Sequence, residues 1–234
     1  VVSENGTLPK IDGQKVLVCQ FGIVTEGIII ENELNETFSL LGGVQAWHEF
    51  YREQKDFSRW SRQTVLPEIG IEGQKKLLNA KVTIVGMGGL GCPAAQSLLT
   101  AGVGYLHLID GDTVSLSNLH RQPLYCPDDV DVKKVDVAEK ALSKLNPETT
   151  IQTSGTSLDE QNTEAFLAEA DVIIDATDNI KTRQLIDQLS KQLNIPMVYG
   201  GLFQFEGQVS ILNVNGSPGY SELFPETPTV GETC

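Results

Sequence analysis

Short apolar runs alternate with stretches of helical periodicity along most of this chain. Residues 81–87 (KVTIVGM), 105–112 (YLHLIDGD) and 171–178 (DVIIDATD) have the length and bounds of buried strands, and 196–202 (PMVYGGL) and 207–214 (GQVSILNV) follow as later candidates. Helical patterns separate the first runs, so the chain reads as successive strand-plus-helix units. That alternation predicts an α/β fold, a mostly parallel sheet covered by helices on both faces. Before it, residues 57–80 (FSRWSRQTVLPEIGIEGQKKLLNA) read as a polar arm followed by a helix. The first residues behave differently. KVLVCQFG (15–22) is a short strand ending in a turn, and TFSLLGGVQAWHEFYREQ (37–54) gives a strand, a break at Gly42 and Gly43, and an amphipathic helix. That is too little to form a domain alone. The expected organisation is a partial segment over 1–55 and one domain over 56–234, with no internal repeat and no low-complexity tract.

Charge removes some partners from consideration. The formal net charge is −14 over 234 residues, and no basic stretch offers a face that could neutralise phosphates. Neither nucleic acid nor an anionic membrane is expected as the main partner. The four cysteines come with no secretory signal and no apolar run long enough to cross a bilayer. Free thiols in a reducing cytoplasm are the expectation. Cys92 and Cys126 lie beside apolar neighbours and read as buried thiols.

The chemistry starts at a turn. Gly86, Gly88, Gly89 and Gly91 follow the strand VTIV and open a helix at Cys92, with Pro93 suited to a first helical turn. Bare glycines let backbone approach a phosphate, and a helix N-terminus adds oriented N–H groups and partial positive charge. Asp110, at the end of the next strand, can accept hydrogen bonds from ribose hydroxyls. To this point NAD and ATP fit equally well. The loop that follows, DGDTVSLSNLHRQPLY (110–125), carries Asp112, Asn118, Arg121 and Gln122; Lys133 and Lys134 come shortly after, and DATDN (175–179) ends a later strand. A dinucleotide fold has no use for that cluster. Strand ends in an open parallel sheet converge on one crevice, so Arg121, a lysine and Asp178 are expected around the same nucleotide. Arg and Lys would neutralise a triphosphate, and Asp178 would hold Mg2+, which prefers carboxylate and phosphate oxygens. None of the three histidines stands in metal-ligand spacing, and His120 reads as packing or solvating the loop.

Residues 59–104, LIDGDTVSLSNLHRQ (108–122) and DATDN together resemble the ThiF/MoeB/HesA adenylyltransferases, relatives of the ubiquitin-activating enzymes, over 57 to about 216. The resemblance implies a Rossmann-like adenylation domain. It also implies that ATP and Mg2+ are used to adenylate the C-terminal Gly-Gly carboxylate of a ubiquitin-like sulfur carrier of the MoaD or ThiS kind, releasing pyrophosphate. By the same resemblance, Gly89 falls at the phosphate turn, Asp110 on ribose, and Ser117, Asn118 and Arg121 around the phosphates. Lys134 falls at the phosphate lysine, Asp178 at the metal-binding and catalytic aspartate, and Asn179 beside it. Arg62 corresponds to an arginine that reaches the ATP site of the other subunit of a homodimer. Such a carrier would serve molybdopterin, thiamine, cysteine or another sulfur-using pathway, among which the sequence does not choose. A non-catalytic scaffold derived from the family and an NAD-dependent oxidoreductase are the other readings.

Two departures from the family pattern shape the expectations. Many members hold a structural zinc with two Cys-x-x-Cys pairs; here the first reads Gly219-Tyr220-Ser221-Glu222 and the second would lie beyond Cys234, so zinc is not expected. The domain also reads as incomplete at its C-terminus. Cys234 stands about where some relatives place a cysteine that links covalently to the carrier. The N-terminal segment resembles the second half of a rhodanese-like domain, through VLVCQFG and FSLLGGVQAW. Cys19 is in place, but Ile23 and Val24 stand where basic residues are usual, so this fragment is expected to be a degenerate sulfurtransferase.

Overall fold

The computed structural model describes residues 57–225 together with two short strands, β1 (Val16–Leu17) and β2 (Phe38–Ser39), which pair in parallel. Cys19, Ile23, Val24, Cys234 and the rest of the rhodanese-like segment lie outside the described residues. The chain divides into two units, Val1–Ile71 and Glu72–Cys234. In the first, a 3-10 turn at Ser58–Trp60 leads into the short helix α1 (Ser61–Thr64). Helix α2 (Gly70–Asn79) then leads into the sheet.

The second unit is built on a six-stranded sheet in the order β5-β4-β3-β6-β7-β8. Its members are β3 (Lys81–Val85), β4 (Tyr105–Ile109), β5 (Thr150–Ser154), β6 (Val172–Asp175), β7 (Met197–Phe203) and β8 (Glu206–Leu212). All neighbours are parallel except β7 and β8, which form an antiparallel hairpin closed by Gln204 and Phe205. The helices between strands are α3 (Gly91–Ala101), α4 (Lys134–Leu145), α5 (Thr163–Leu167) and α6 (Ile180–Leu193), and α7 (Tyr220–Leu223) follows the hairpin.

Strand alternation divides the core into two layers. Ile84, Leu106 and Leu108 pack with Cys92, Ala95 and Leu99 of α3 and with Val135, Ala138 and Leu142 of α4. Their neighbours Val85 and Ile109 face the opposite way, into a cluster with Ile173, Leu167 of α5 and Ile186 and Leu189 of α6. This is the two-sided α/β sheet that the apolar runs predict. Helix ends follow local rules: Gly102 at φ 97 closes α3, and Asn194 at φ 54 closes α6, both in the left-handed region. β5 is absent from the sequence reading. Its residues, TIQTS, are mostly polar because it is an edge strand paired only with β4, and none of its side chains is fully buried.

Candidate functional site

The carboxyl ends of the parallel strands open into a cleft of about 1070 Å³. The glycine turn forms its floor. Gly86 ends β3 at φ +95, and a Cβ there would stand 2.6 Å from the Ala176 carbonyl oxygen, so the ends of β3 and β6 meet at backbone distance. At Gly91 a Cβ would stand 1.8 Å from the Gly86 carbonyl oxygen. Gly91 is therefore the residue that lets α3 start against the turn; it is buried and does not line the cleft. Gly88 and Gly89 do line it, with room above them: the nearest atoms to an added Cβ are Gln122 Nε2 at 3.7 Å and the Arg121 side chain at 3.5 Å.

Asp110 holds this floor in place. Its Oδ2 accepts from the Met87 N–H at 2.7 Å and its Oδ1 from the Asp112 N–H at 2.8 Å. Burial raises its pKa above the ordinary carboxylate value, against the pull of those amides and of Lys134. Lys134, the first residue of α4, is buried; its Nζ donates to Asp112 Oδ2 at 2.7 Å and stands 3.7 Å from Asp110 Oδ2. Asp112 itself is exposed, so the buried ammonium is paired with a carboxylate that is open to solvent. Lys133 points the other way, exposed, with its Nζ on the Gly155 carbonyl.

The polar loop forms one wall. Ser115 opens a 3-10 turn at Leu116–Asn118, where its N–H donates to Asn118 Oδ1 at 3.2 Å. Arg121 is exposed along the cleft and, among the described residues, is tethered by one bond, Nη1 to the Ser117 carbonyl at 3.0 Å. Asn118 lines the cleft; the Ser117 hydroxyl instead pairs with that of Ser115 at 2.9 Å. Gln122 is buried beside Gly88, and its Oε1 has no hydrogen-bond partner among the described residues. His120 is exposed.

The opposite wall is the end of β6. Asp178 and Asn179 are exposed at the cleft, and Asn179 Oδ1 caps α6 by accepting from the Thr182 N–H at 3.1 Å. The Asp178 carboxylate has no hydrogen-bond partner among the described residues, and as a hard oxygen donor it suits a hard cation. Among those residues no group of three or more His, Cys, Asp and Glu is arranged to hold a metal alone.

Arg121, Lys134 and Asp178 thus share one cleft, with Gly86, Gly88, Gly89, Asp110, Asp112, Asn118 and Asn179. Arg62 is an exposed residue of α1, in the first unit. Cys92 is buried as expected, its Sγ–H donating to the Met87 carbonyl at 3.3 Å, whereas Cys126 is exposed. Its neighbours Leu124 and Tyr125 are buried, but Cys126 starts the surface turn Pro127–Asp129 and its N–H donates to Asp129 Oδ2 at 2.8 Å.

Sequence reasoning misses a buried ion pair under the Asp178 wall. Arg183 Nε donates to Asp175 Oδ2 at 2.6 Å, Nη2 donates to the Thr177 and Gly200 carbonyls, and the guanidinium lies over the rings of Tyr199 (4.6 Å) and Tyr220 (5.2 Å). It also misses Asp187, which accepts from the Tyr220 N–H at 2.7 Å and from the Ser221 N–H and hydroxyl at 3.0 and 2.8 Å. Together with a bond from Asn213 Nδ2 at 3.0 Å, those bonds outweigh burial and lower its pKa. A signal was present: Arg183 and Asp187 stand four apart on the stripe of α6 that also buries Ile186, Leu189 and Ser190.

Residues 60–234 match the ThiF family. A sulfur carrier protein adenylyltransferase of Thermus thermophilus is 40% identical over 183 residues, 76% of this chain and 68% of that protein. A molybdopterin-synthase adenylyltransferase of Haemophilus influenzae is 41% identical over 166 residues, 70% of this chain and 68% of that protein. The adenylyltransferase and sulfurtransferase MOCS3 of Drosophila sechellia is 43% identical over 173 residues, 74% of this chain but 38% of its own length. The chain thus spans about two fifths of the MOCS3 relatives it matches. The crystal structure of PaaA superposes with a TM-score of 0.64 at 32% identity, covering 72% of this chain and 58% of that one. With the sequence match running from the arm before α2 through every strand of the sheet, the chain belongs to the ThiF family.

Proposed function

We propose that this chain transfers the adenylyl group of ATP to the C-terminal Gly-Gly carboxylate of a ubiquitin-like sulfur carrier and releases pyrophosphate. The observation that carries the reading is the meeting of an open glycine turn, Lys134, Arg121 and Asp178 in one cleft. The adenylyltransferase activities of the Thermus and Haemophilus relatives support it.

Gly88 and Gly89 let the phosphates approach the backbone at the start of α3. The two Asp110 oxygens keep lone pairs beyond those used by the amides, which suits ribose hydroxyls. Lys134 exchanges its exposed partner Asp112 for phosphate, and Arg121, held by a single bond, swings onto the same group. Asp178 would hold the Mg2+ that accompanies ATP, and the ion would supply positive charge to offset that of the triphosphate. A carrier carboxylate oxygen attacks the α-phosphorus; that bond forms as the bond from the α-phosphorus to its bridging oxygen breaks, and the electron pair leaves with pyrophosphate. The attacking group is already an anion, so no general base is needed, and the cations serve to lower repulsion and stabilise the leaving group. Arg62 acts in a homodimer, on the partner's site. The test is exchange of labelled pyrophosphate into ATP with purified MoaD- and ThiS-like carriers. Exchange that needs a carrier with an intact Gly-Gly terminus is expected, and tight ATP binding without exchange would favour a scaffold.

A further inference from the structure

We infer that Arg183 is the positioning residue of the adenylation site: through Asp175 and Thr177 it fixes the backbone that presents Asp178. The inference rests on the adenylyltransferase reading above. Asp178 has an exposed side chain with no hydrogen-bond partner among the described residues, so its placement comes from its backbone alone. That backbone is tied down from beneath. Asp175 is fully buried, and its Oδ1 accepts from both the Thr177 N–H at 3.0 Å and the Thr177 hydroxyl at 2.6 Å. Arg183 closes the loop by holding Asp175 Oδ2 with Nε and the Thr177 carbonyl with Nη2. Thr177 is therefore gripped at its N–H, hydroxyl and carbonyl by one ion pair, and the next residue is Asp178.

The same guanidinium ties this turn to the facing strand. It reaches the Gly200 carbonyl at 3.4 Å and rests on Tyr199 and Tyr220, both of which line the cleft. A planar fork can meet a carboxylate and two carbonyls at once, and a lysine ammonium on a flexible stem cannot hold all of them in fixed geometry. A pair retained only for stability would be replaceable by apolar groups of similar volume. This one has its bonds spent on the turn that carries Asp178, and its disturbance is expected to appear at that carboxylate before it appears in the fold.

The experiment uses Arg183→Lys in the full chain, with Thr177→Val as a milder second variant should the first fail to fold. Carrier-dependent exchange is expected to fall about tenfold or more in kcat with the KM for ATP within about threefold, since a contact effective only in the transition state is lost. In an Asp178→Ala background the same substitution is expected to cost less than about threefold, because the group it positions is gone. Independently of activity, amide hydrogen exchange at 176–179 is expected to quicken while β3 and β4 stay protected. An equal loss with and without Asp178, or unchanged exchange at 176–179, would overturn the inference alone. A wild-type protein with no carrier-dependent exchange would overturn the functional reading and the inference with it.

Discussion

DATDN carries two aspartates three residues apart, and their surroundings predict opposite consequences of the same substitution. Asp178 is exposed and has no hydrogen-bond partner among the described residues, so Asp178→Ala removes nothing that holds the fold; its stability is expected within about 0.5 kcal/mol of wild type. Its turnover is another matter. Loss of a group that stabilises charge at the leaving phosphate is expected to cost about 3 kcal/mol of barrier, roughly a hundredfold in kcat. Asp175 is fully buried, and Asp175→Ala strands the Arg183 guanidinium, 7% exposed, without its counter-charge. Breaking one side of a buried pair costs about 3–5 kcal/mol. For a chain of this size that is a fall of roughly 6–20 °C in Tm. Thermal melts and pyrophosphate exchange on the two variants separate the effects. A large Tm loss in Asp178→Ala, or a wild-type Tm in Asp175→Ala, would refute the assignment of one carboxylate to the site and the other to its support.

Three of the strands are legible in the sequence because their burial is nearly complete. β3, β4 and β6 read as strands because both of their faces are covered, which leaves Ile84, Leu106, Leu108 and Ile173 with no exposed surface. β5 did not, since an edge strand with partly covered faces can be made of Thr, Gln and Ser, and the same letters describe a loop. In the candidate site, a meeting of the glycines, a lysine and Asp178 was legible because strand ends must converge in a parallel sheet, and the choice of Lys134 over Lys133 came only from the family resemblance. Gly91 lies on the packing side of that boundary: its spacing marks it as part of the turn, and only the 1.8 Å approach to Gly86 shows what it is for. Arg183 and Asp187 were hidden for a different reason. A charge on an amphipathic helix ordinarily marks the solvated face, and their inward placement depends on partners such as Asp175, eight positions from Arg183, and Asn213, Tyr220 and Ser221, 26 to 34 positions from Asp187.

The remaining predictions follow from single geometric facts. Gly91→Ala drives a Cβ into backbone and is expected to destabilise by about 1–3 kcal/mol or more, whereas Gly88→Ala, with 3.7 Å of clearance, keeps the fold and weakens ATP binding; calorimetry that found both variants stable and binding normally would contradict this. Mixing Arg62→Ala with Asp178→Ala protein is expected to restore up to about a quarter of wild-type activity, because half the dimers are mixed and each has one intact site. Absence of recovery despite demonstrated subunit exchange would place Arg62 outside the partner's site. For Asp187 the sign is set by a folded pKa below its unfolded value, which is near 3.9. Its contribution is therefore complete above that value and is lost as pH falls through the lower, folded one. The stability gap between wild type and Asp187→Asn, expected at about 1–3 kcal/mol near neutrality for lost hydrogen bonds to a charged acceptor, should close as the pH drops below about 4. A gap that stays constant from neutrality down to acid unfolding would mean that the charge of Asp187 does not hold Tyr220 and Ser221 against α6.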